Sequence, residues 1–409
     1  MNDQQTKDAS MAGSQSAVMK TYGRAELAFA SGEGCWLVTD DGSRYLDCAS
    51  GIAVNTLGHS HPGLVAALRE QAGKLWHTSN LYRIPGQERV AAKLAALTGL
   101  DQVYFCNSGA EANESAVKIA RRAMHERGEP DRMTILCATG SFHGRTLGML
   151  AATDKPANRI GFGPMPDGFE HVAFGNLNAF RDRMGPHVAA VMIEPVQGEG
   201  GARDAQDEYL AGVRAAADEF GALVIADEVQ CGIGRTGTLF AYETSGIRPD
   251  IIAVAKGLGG GFPVGAVIAS EAVGNAMTPG THGSTFAGNP LAMAVAEVVL
   301  DELGAPGFLE DVRRRAGIMR DSLQAVADRY EGAVVELRGR GFLCGVRLAD
   351  ALPAGDAVAA MREENLLTVP AGENTVRFLP PLVISEEEIA LAAETFERVL
   401  GRMVAAGDG

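Results

Sequence analysis

The chain has 409 residues, of which 46% are hydrophobic and 21% charged, and its formal net charge is −15. This composition is typical of a globular protein, and the length predicts two interlocked domains rather than one. The negative charge and the lack of a basic stripe argue against a nucleic-acid partner, because phosphate binding needs clustered Lys and Arg.

Neither a membrane span nor a metal site is predicted. Apolar runs are shorter than a membrane-spanning helix, and residues 1–17 are polar and small, which predicts a disordered arm rather than a signal peptide. The six cysteines are scattered without C-x-x-C spacing, as is typical of a reducing compartment. We therefore expect a cytoplasmic protein without disulfides or zinc.

The predicted elements begin with a hairpin, residues 35–39 and 44–47, around an Asp-Asp-Gly-Ser turn. An irregular loop over residues 51–62 follows. His59 and His61 in this loop have no carboxylate or cysteine nearby at ligand spacing, so we interpret them as residues that order a turn.

Strands and helices then alternate over residues 63–300, which predicts an α/β domain with a mostly parallel central sheet and helices on both faces. Residues 301–409 change character, because longer helices bracket several short strands. We expect this part and residues 18–62 to form a second, smaller and discontinuous α+β domain.

Two strands of the larger domain end on groups of opposite charge. An apolar, β-branched run over residues 223–226 ends on Asp227, and a similar run over residues 251–255 ends on Lys256. Ligands of open α/β sheets bind beyond the carboxyl ends of the strands. The sequence therefore predicts that the carboxylate and the amine face a common ligand.

Two further strand ends add binding groups. Ser108, Gly109 and Ala110 lie where a strand passes into a helix, a turn whose free N–H groups and helix dipole can bind phosphate. An ordinary N-capped helix explains the same residues. Phe142 and Arg145 follow another strand and could stack on a flat ligand and bind a carboxylate, although a core phenylalanine and a surface ion pair explain them equally well.

Two chemistries are compatible with these residues. Residues 232–237 match G-x-G-x-x-G after a strand, as in nicotinamide dehydrogenases, but residues 238–250 have no helical period to hold a pyrophosphate. Pyridoxal phosphate chemistry needs a lysine, an acid for the ring nitrogen, a phosphate turn, a ring stacker and a carboxylate anchor. The chain offers one candidate for each, namely Lys256, Asp227, Ser108 to Ala110, Phe142 and Arg145.

From about residue 22 onward the chain resembles the class III (ornithine-type) pyridoxal phosphate aminotransferases of fold type I, and most of all their acetylornithine branch, with the succinylornithine transaminases close by. Eight segments carry the resemblance jointly, and none would suffice alone. They are residues 51–62 (GIAVNTLGHSHP), 107–114 (NSGAEANE), 142–145 (FHGR), 194–201 (EPVQGEGG), 227–230 (DEVQ), Lys256, 283–285 (GST) and 376–381 (VRFLPP).

The resemblance implies roles around pyridoxal 5′-phosphate. Lys256 and Asp227 would be catalytic, and Thr285 would bind the phosphate of the neighbouring subunit's cofactor, which implies a homodimer with shared active sites. The remaining cofactor-binding residues would be Ser108, Gly109 and Ala110 at the phosphate, Phe142 and Val229 on the two ring faces, Gln230 at the ring hydroxyl, and His143.

The resemblance also implies a substrate. Arg377 would bind the α-carboxylate of 2-oxoglutarate or glutamate, Glu199 would cover it in the other half-reaction, and Arg145 would hold the α-carboxylate of N2-acetyl-L-ornithine. From the residues alone, Glu199 and Arg377 would be interpreted as solvated charges. Gly51 replaces a tyrosine of the ornithine aminotransferases and leaves room for an acyl group, and Ser284 is a further substrate-binding candidate. Succinylornithine, succinyldiaminopimelate, ornithine and 4-aminobutyrate remain alternative substrates.

Overall fold

The structure is a computed structural model that describes residues 17–407. The arm predicted over residues 1–17 lies outside the described residues, apart from Ala17. Within residues 17–407, each helix is too short or too polar to cross a membrane. In the same range, His, Cys, Asp and Glu side chains do not gather into a group that could hold a metal ion.

The strands are named in chain order. They are β1 Ser31–Glu33, β2 Trp36–Val38, β3 Arg44–Asp47, β4 Gln102–Cys106, β5 Thr134–Ala138, β6 Phe169–Val172, β7 Val188–Ile193, β8 Val196–Gln197, β9 Arg203–Asp204, β10 Leu223–Asp227, β11 Ile251–Val254, β12 Gly265–Ala269, β13 Val334–Arg340, β14 Leu343–Leu348, β15 Leu366–Leu367, β16 Val369–Ala371 and β17 Thr375–Phe378.

The helices are named by their ranges. The α-helices with regular dihedral angles are Pro62–Ala72, Pro85–Thr98, Gly109–Glu126, Leu147–Ala152, Leu177–Arg183, Asp207–Phe220, Glu271–Gly274, Pro290–Leu303, Phe308–Arg329, Ala354–Glu363 and Glu386–Gly407. Short 3-10 turns are Pro156–Asn158, Ala241–Ser245 and Lys256–Gly259. Residues Ser50–Ala53 form a tight turn with positive φ angles.

The central sheet has seven strands in the order β4-β12-β11-β10-β7-β5-β6. Strands β11, β10, β7, β5 and β6 are mutually parallel, and β12 runs antiparallel to both of its neighbours. The prediction of a mostly parallel sheet is confirmed. Every residue of β7, β10 and β11 is buried, which explains why these strands are continuous apolar runs in the sequence.

Helices cover both faces of this sheet, as predicted. Ile225 and Ala253 pack on one face with the helix Gly109–Glu126. Ala226 and Ile252 point to the opposite face and pack with side chains such as Leu94 and Met293 of the helices Pro85–Thr98 and Pro290–Leu303. The alternation of neighbouring residues between the faces is the period-two pattern of a strand, so β10 and β11 are fixed from both sides.

The smaller domain is built from both ends of the chain. Strands β13-β14-β17-β16 form a four-stranded sheet, and β1-β2-β3-β15 form another. Leu366 of β15 pairs with Leu46 of β3, so the N-terminal hairpin joins the C-terminal residues as the sequence predicts. Phe342, Phe378 and Phe396 lie in its hydrophobic core. The residue boundaries 18–62, 63–300 and 301–409 stay a prediction.

The G-x-G-x-x-G segment forms turns rather than the start of a long helix. Residues 232–237 lead to the short turn Ala241–Ser245. Arg235 is buried, and its guanidinium donates to the backbone carbonyls of Phe342 and Pro380 in the smaller domain. The segment therefore ties the two domains together, and its structure differs from a dinucleotide-binding turn.

Candidate active site

A cavity of about 220 Å³ lies beyond the carboxyl ends of β10 and β11. It brings Asp227 and Lys256 together, as the strand ends predicted. The first turns of the helix Gly109–Glu126 and three loops complete its lining: Gly109, Ala110, Asn113, Phe142, His143, Gly144, Arg145, Glu194, Val229 and Gln230.

Asp227 is only 2% exposed and accepts three hydrogen bonds. Asn113 Nδ2 and His143 Nδ1 lie 2.7 Å from Oδ2, and the Val229 backbone N–H lies 3.0 Å from Oδ1. Burial alone would lower the pKa of His143, but the hydrogen bond to Asp227 raises that pKa well above its usual value. A buried carboxylate with this set of donors is held in one orientation, with its charge available to the cavity.

Lys256 stands at the point where β11 passes into the turn Lys256–Gly259. Its φ angle of +41° lies in the left-handed region, which is uncommon for residues other than glycine and is typical of functional sites. Burial lowers the pKa of its amine to about 8, against the opposing effect of Glu199. The amine therefore loses its proton more readily than an ordinary lysine does, and its neutral form can act as a nucleophile or base.

Glu194 lies in the same wall as Asp227 but has a different environment. It is 5% exposed, and its Oε2 accepts a hydrogen bond of 3.0 Å from the Phe142 backbone N–H. Burial raises the pKa of this carboxyl to about 8, although His143 opposes the shift. The cavity lining thus contains two different carboxyl groups. Asp227 is held by three hydrogen-bond donors, whereas Glu194 favours its neutral form.

The turn before the helix Gly109–Glu126 approaches the cavity closely. Ser108 caps the helix by accepting a hydrogen bond of 3.2 Å from the Glu111 backbone N–H, so the capped-helix interpretation is also correct. A Cβ atom on Gly109 would lie 2.5 Å from Val229 Cγ1. Glycine is therefore required for the turn to reach this position beside Val229.

Arg377 on β17 is buried, with 1% exposure, and is paired with an acid. Its Nη1 lies 2.8 Å from Glu199 Oε1 and donates to Gln230 Oε1 at 2.8 Å. Burial raises the pKa of Glu199, but the positive charges of Arg377 and Lys256 together lower it by more, so the net shift of the pKa is downward. The interpretation of Glu199 and Arg377 as solvated charges is wrong, because strand pairing buries the arginine beside the cavity.

Comparison with known proteins decides the family. The model of the family described as aminotransferase class III matches residues 18–400. The chain belongs to the class-III aminotransferases. The enzyme is 53% identical over 376 residues to an acetylornithine aminotransferase of Mesorhizobium japonicum, covering 92% of this chain and 94% of the relative. It is 50% identical over 381 residues to that of Rhodobacter capsulatus, covering 93% and 96%.

Solved structures agree with this assignment. The N-acetylornithine aminotransferase of Stenotrophomonas maltophilia superposes with a TM-score of 0.83 at 37% identity, covering 94% of this chain and 98% of that one. An ornithine aminotransferase of Toxoplasma gondii gives 0.92 at 31% identity, with coverage of 100% and 96%. The fold-type I prediction is confirmed, and the nicotinamide dehydrogenase alternative is wrong.

The aminotransferase uses pyridoxal 5′-phosphate, as its family does, and the residues of the cavity fit that cofactor. Asp227 offers a fixed carboxylate, and Lys256 offers an amine with a lowered pKa. The glycine turn before the helix Gly109–Glu126 opens into the same cavity. An acid, an amine and a helix N-terminus at one cavity are the groups that a cationic ring, an aldehyde and a phosphate require.

The other predicted residues of the aminotransferase lie at the edge of this cavity or outside it. Arg145 is exposed, and its Cζ lies 5.4 Å from the centre of the Phe142 ring. Six predicted site residues of the described chain are outside the set of residues that lines the cavity: Gly51, Ser108, Glu199, Ser284, Thr285 and Arg377. Gly51 has a φ angle of +62°, and Thr285 is exposed. The roles assigned to these residues stay predictions.

Sequence reasoning missed Asn113 and the partner of Gln230. Asn113 lies one helical turn after Gly109, so the helical period could have placed it on the face that meets Asp227. Gln230 was assigned to the ring hydroxyl, which stays a prediction, whereas the contact present is with Arg377. His59, interpreted as ordering a turn, bonds Asp47 Oδ2 of β3 at 2.8 Å, so a carboxylate that the sequence spacing did not reveal lies beside it.

Proposed function

We propose that this aminotransferase transfers the δ-amino group of N2-acetyl-L-ornithine to 2-oxoglutarate, as in arginine biosynthesis. The products are N-acetyl-L-glutamate 5-semialdehyde and L-glutamate, and the reaction is reversible. The buried Arg377–Glu199 pair beside Lys256 carries this proposal, because a pocket for two different substrates needs a carboxylate anchor that can also be neutralised. Relatives at about half identity that carry the name acetylornithine aminotransferase support it.

We assign the chemical steps to the side of the cavity next to the central sheet, called the sheet side, which holds Asp227, Lys256 and Glu194. Bound pyridoxal phosphate supplies an electron sink for the negative charge left when a substrate carbon loses its proton. Lys256 would hold the cofactor at its aldehyde, and its amine, with its lowered pKa, would move the substrate proton as a general base and acid. Asp227 would hold the ring nitrogen of the cofactor in its protonated form through a charge-assisted hydrogen bond. Asn113 and His143 keep that carboxylate in place.

Substrate exchange is assigned to Glu199 and Arg377. With the amino donor bound, Glu199 stays on Arg377 and neutralises it. With 2-oxoglutarate or glutamate bound, the substrate α-carboxylate takes the arginine and Glu199 turns away. An exchange of one carboxylate for another leaves the arginine paired throughout, which avoids an unpaired buried charge.

We assign substrate selectivity to residues at or beyond the edge of the cavity, called the outer side, namely Arg145 and Gly51, and we assign contact with a second copy to Thr285. Arg145, exposed and resting on Phe142, binds the α-carboxylate of the acylated amine. Gly51 leaves room for the acyl group. Thr285 reaches the cofactor phosphate of a second copy, so we propose a homodimer with shared sites. A cytoplasmic location is proposed from the six cysteines, all buried and free.

Steady-state kinetics with 2-oxoglutarate as acceptor test this function. The amines to compare are N2-acetylornithine, N2-succinylornithine, N-succinyldiaminopimelate, ornithine and 4-aminobutyrate. We expect kcat/KM for acetylornithine to exceed that for free ornithine by at least about tenfold, because ornithine brings an unmatched α-ammonium to the site. A higher value for free ornithine would overturn the assignment based on Gly51. A higher value for a succinylated amine would keep the mechanism and change the substrate.

A further inference from the structure

Residues 278–289, called the 278–289 arm, form an exposed loop held at several points on its own chain. At its tip, Thr285 is exposed and Phe286 is 61% exposed. The Phe286 ring packs 5.3 Å from that of His77, next to Trp76, which is 66% exposed. Exposed large apolar side chains such as Phe286 and Trp76 are common where a protein partner binds. A second copy of the chain is the partner that the proposed function supplies.

His282 contacts three side chains outside the 278–289 arm. Lys118 Nζ lies 2.7 Å from its Nδ1, and Ser115 Oγ lies 3.0 Å from its Nε2. The Tyr104 ring packs against the imidazole, with 4.8 Å between the ring centres. These partners come from β4 and from the helix Gly109–Glu126, whose N-terminus opens into the cofactor cavity.

The hydrogen bonds define the protonation state of His282. An ammonium group can only donate, so Nδ1 accepts from Lys118 and carries no proton. The proton therefore sits on Nε2 and is donated to Ser115 Oγ, whose own hydroxyl donates to the Glu111 carbonyl at 2.7 Å. Burial and the neighbouring Lys118 lower the pKa of His282, which agrees with a neutral imidazole.

A second tether lies beyond His282. Asn107 Nδ2 donates to Ser284 Oγ at 3.0 Å, and Asn80 Nδ2 donates to the Ser284 and Ala287 carbonyls at 3.3 and 3.1 Å. Thr285 therefore lies between bound residues on both sides. Before His282, Gly280 has a φ angle of +90° and open space where a Cβ would lie, and Thr281 Oγ1 donates to the Thr278 carbonyl at 2.7 Å within the loop itself.

We propose that His282 is a positioning residue that fixes Thr285 for the active site of the second subunit. The inference rests on the proposed function, in which Thr285 contacts the partner's cofactor phosphate. A loop fixed before association loses less conformational entropy on binding than a mobile one. Loss of the imidazole should therefore weaken cofactor binding in the partner's site and leave the site of its own chain intact.

Heterodimers of full-length chains separate these two effects. A chain carrying Lys256→Ala is silent, because it cannot give the visible absorbance of lysine-bound cofactor. The other chain of the heterodimer keeps Lys256, and we call its active site the reporting site because only this site gives the absorbance. When the silent chain also carries His282→Ala, the altered 278–289 arm reaches the reporting site. When the reporting chain itself carries His282→Ala, its site receives an intact arm. Titration of each cofactor-free heterodimer with pyridoxal phosphate gives the dissociation constant of the reporting site.

We expect the dissociation constant of the reporting site to rise about tenfold when the altered 278–289 arm comes from the silent chain. This change corresponds to the free energy of roughly one hydrogen bond. The reverse heterodimer should bind within about twofold of the unaltered one. Ser115→Ala, which removes one partner of His282 and leaves the imidazole, should give a smaller loss with the same asymmetry. His125→Ala, at an exposed position near the end of the same helix, is the matched control.

Thr285→Ala in the silent chain separates this inference from the proposed function. If Thr285→Ala weakens the partner's site and His282→Ala does not, the role of His282 is refuted while the shared site stands. Equal losses in both heterodimers, or a loss confined to the altered chain's own site, would indicate a merely local role and also refute it. If Thr285→Ala has no effect, or the chains do not pair, the shared site itself fails.

Discussion

The two sides of the cavity differ in how far one chain completes them. On the sheet side, Asp227 is buried with three donors, and Lys256 has a pKa lowered to about 8. On the outer side, Arg145 and Thr285 are exposed, and Gly51 lies in a turn beside Ile52, which is 40% exposed. The groups proposed for the chemistry are thus fixed by buried strands, whereas the residues proposed for selectivity and for contact with a second copy lie in a turn and in exposed loops.

The largest effect is expected from Lys256→Ala on the sheet side. Because the lysine both anchors the cofactor and moves the proton, transamination should fall by about 10³-fold or more, and the visible absorbance of lysine-bound cofactor should disappear. Absorbance spectra and a glutamate-formation assay measure both. Lys155→Ala, at an exposed position, should leave them unchanged. A Lys256→Ala enzyme that kept both properties would end the assignment.

The two carboxyl groups of the sheet side should respond differently to neutralisation. Asp227→Asn removes the charge at the ring nitrogen and should lower kcat by about 10²-fold or more. Glu194→Gln keeps an acceptor for the Phe142 N–H and resembles the neutral acid, so kcat should change by less than about threefold. Equal losses in the two variants would show that Glu194 is needed as a charge.

The pH dependence of stability tests the same difference without the cofactor. Between the usual pKa of about 4.5 and the raised value of about 8, Glu194 keeps its proton when folded and loses it when unfolded. Raising the pH through this window therefore favours unfolding. The wild type should lose up to about 1.4 kcal/mol of unfolding free energy per pH unit relative to Glu194→Gln. Denaturant unfolding at several pH values measures this difference, and a pH-independent difference would contradict the raised pKa.

The smallest effect is expected on the outer side, from Gly51→Tyr. A tyrosine should fill the space assigned to the acyl group and lower kcat/KM for acetylornithine relative to ornithine by about tenfold. Because Gly51 has a φ angle of +62°, any side chain there also costs roughly 1 kcal/mol of stability. Gly51→Ala carries the same backbone cost without the ring and is the control. An unchanged ratio of the two substrates in Gly51→Tyr would remove Gly51 from the selectivity assignment.

Buried strands were predicted well from the sequence, and strands that depend on distant partners were not. The predicted runs 223–226 and 251–255 agree with β10 and β11 to within one residue, because a strand covered on both faces is a short continuous apolar run. β12 was missed inside a glycine-rich stretch. Its position depends on antiparallel pairing with β4 and β11, which no local pattern reveals. β6, the edge strand Phe169–Val172, mixes polar and apolar residues and was missed as well.

The candidate site follows the same rule. Asp227 and Lys256 were predicted together because both end buried parallel strands. The Asn113 contact joins residues 114 positions apart, and the Gln230–Arg377 contact spans 147 positions. Arg377 is buried because β17 pairs with β14 and β16. The local sequence does not reveal this pairing, so the charge of the residue alone suggested solvent exposure. Only the family resemblance pointed to its pairing with Glu199.

The central claim, that one cavity serves both half-reactions, is tested most directly by following the visible absorbance of lysine-bound cofactor in the absence of an acceptor. N2-acetylornithine alone should abolish this absorbance and release semialdehyde in an amount equal to the active sites. Addition of 2-oxoglutarate should restore the absorbance and form an equal amount of glutamate. An absorbance that acetylornithine leaves unchanged, or that 2-oxoglutarate fails to restore, would contradict the proposed function.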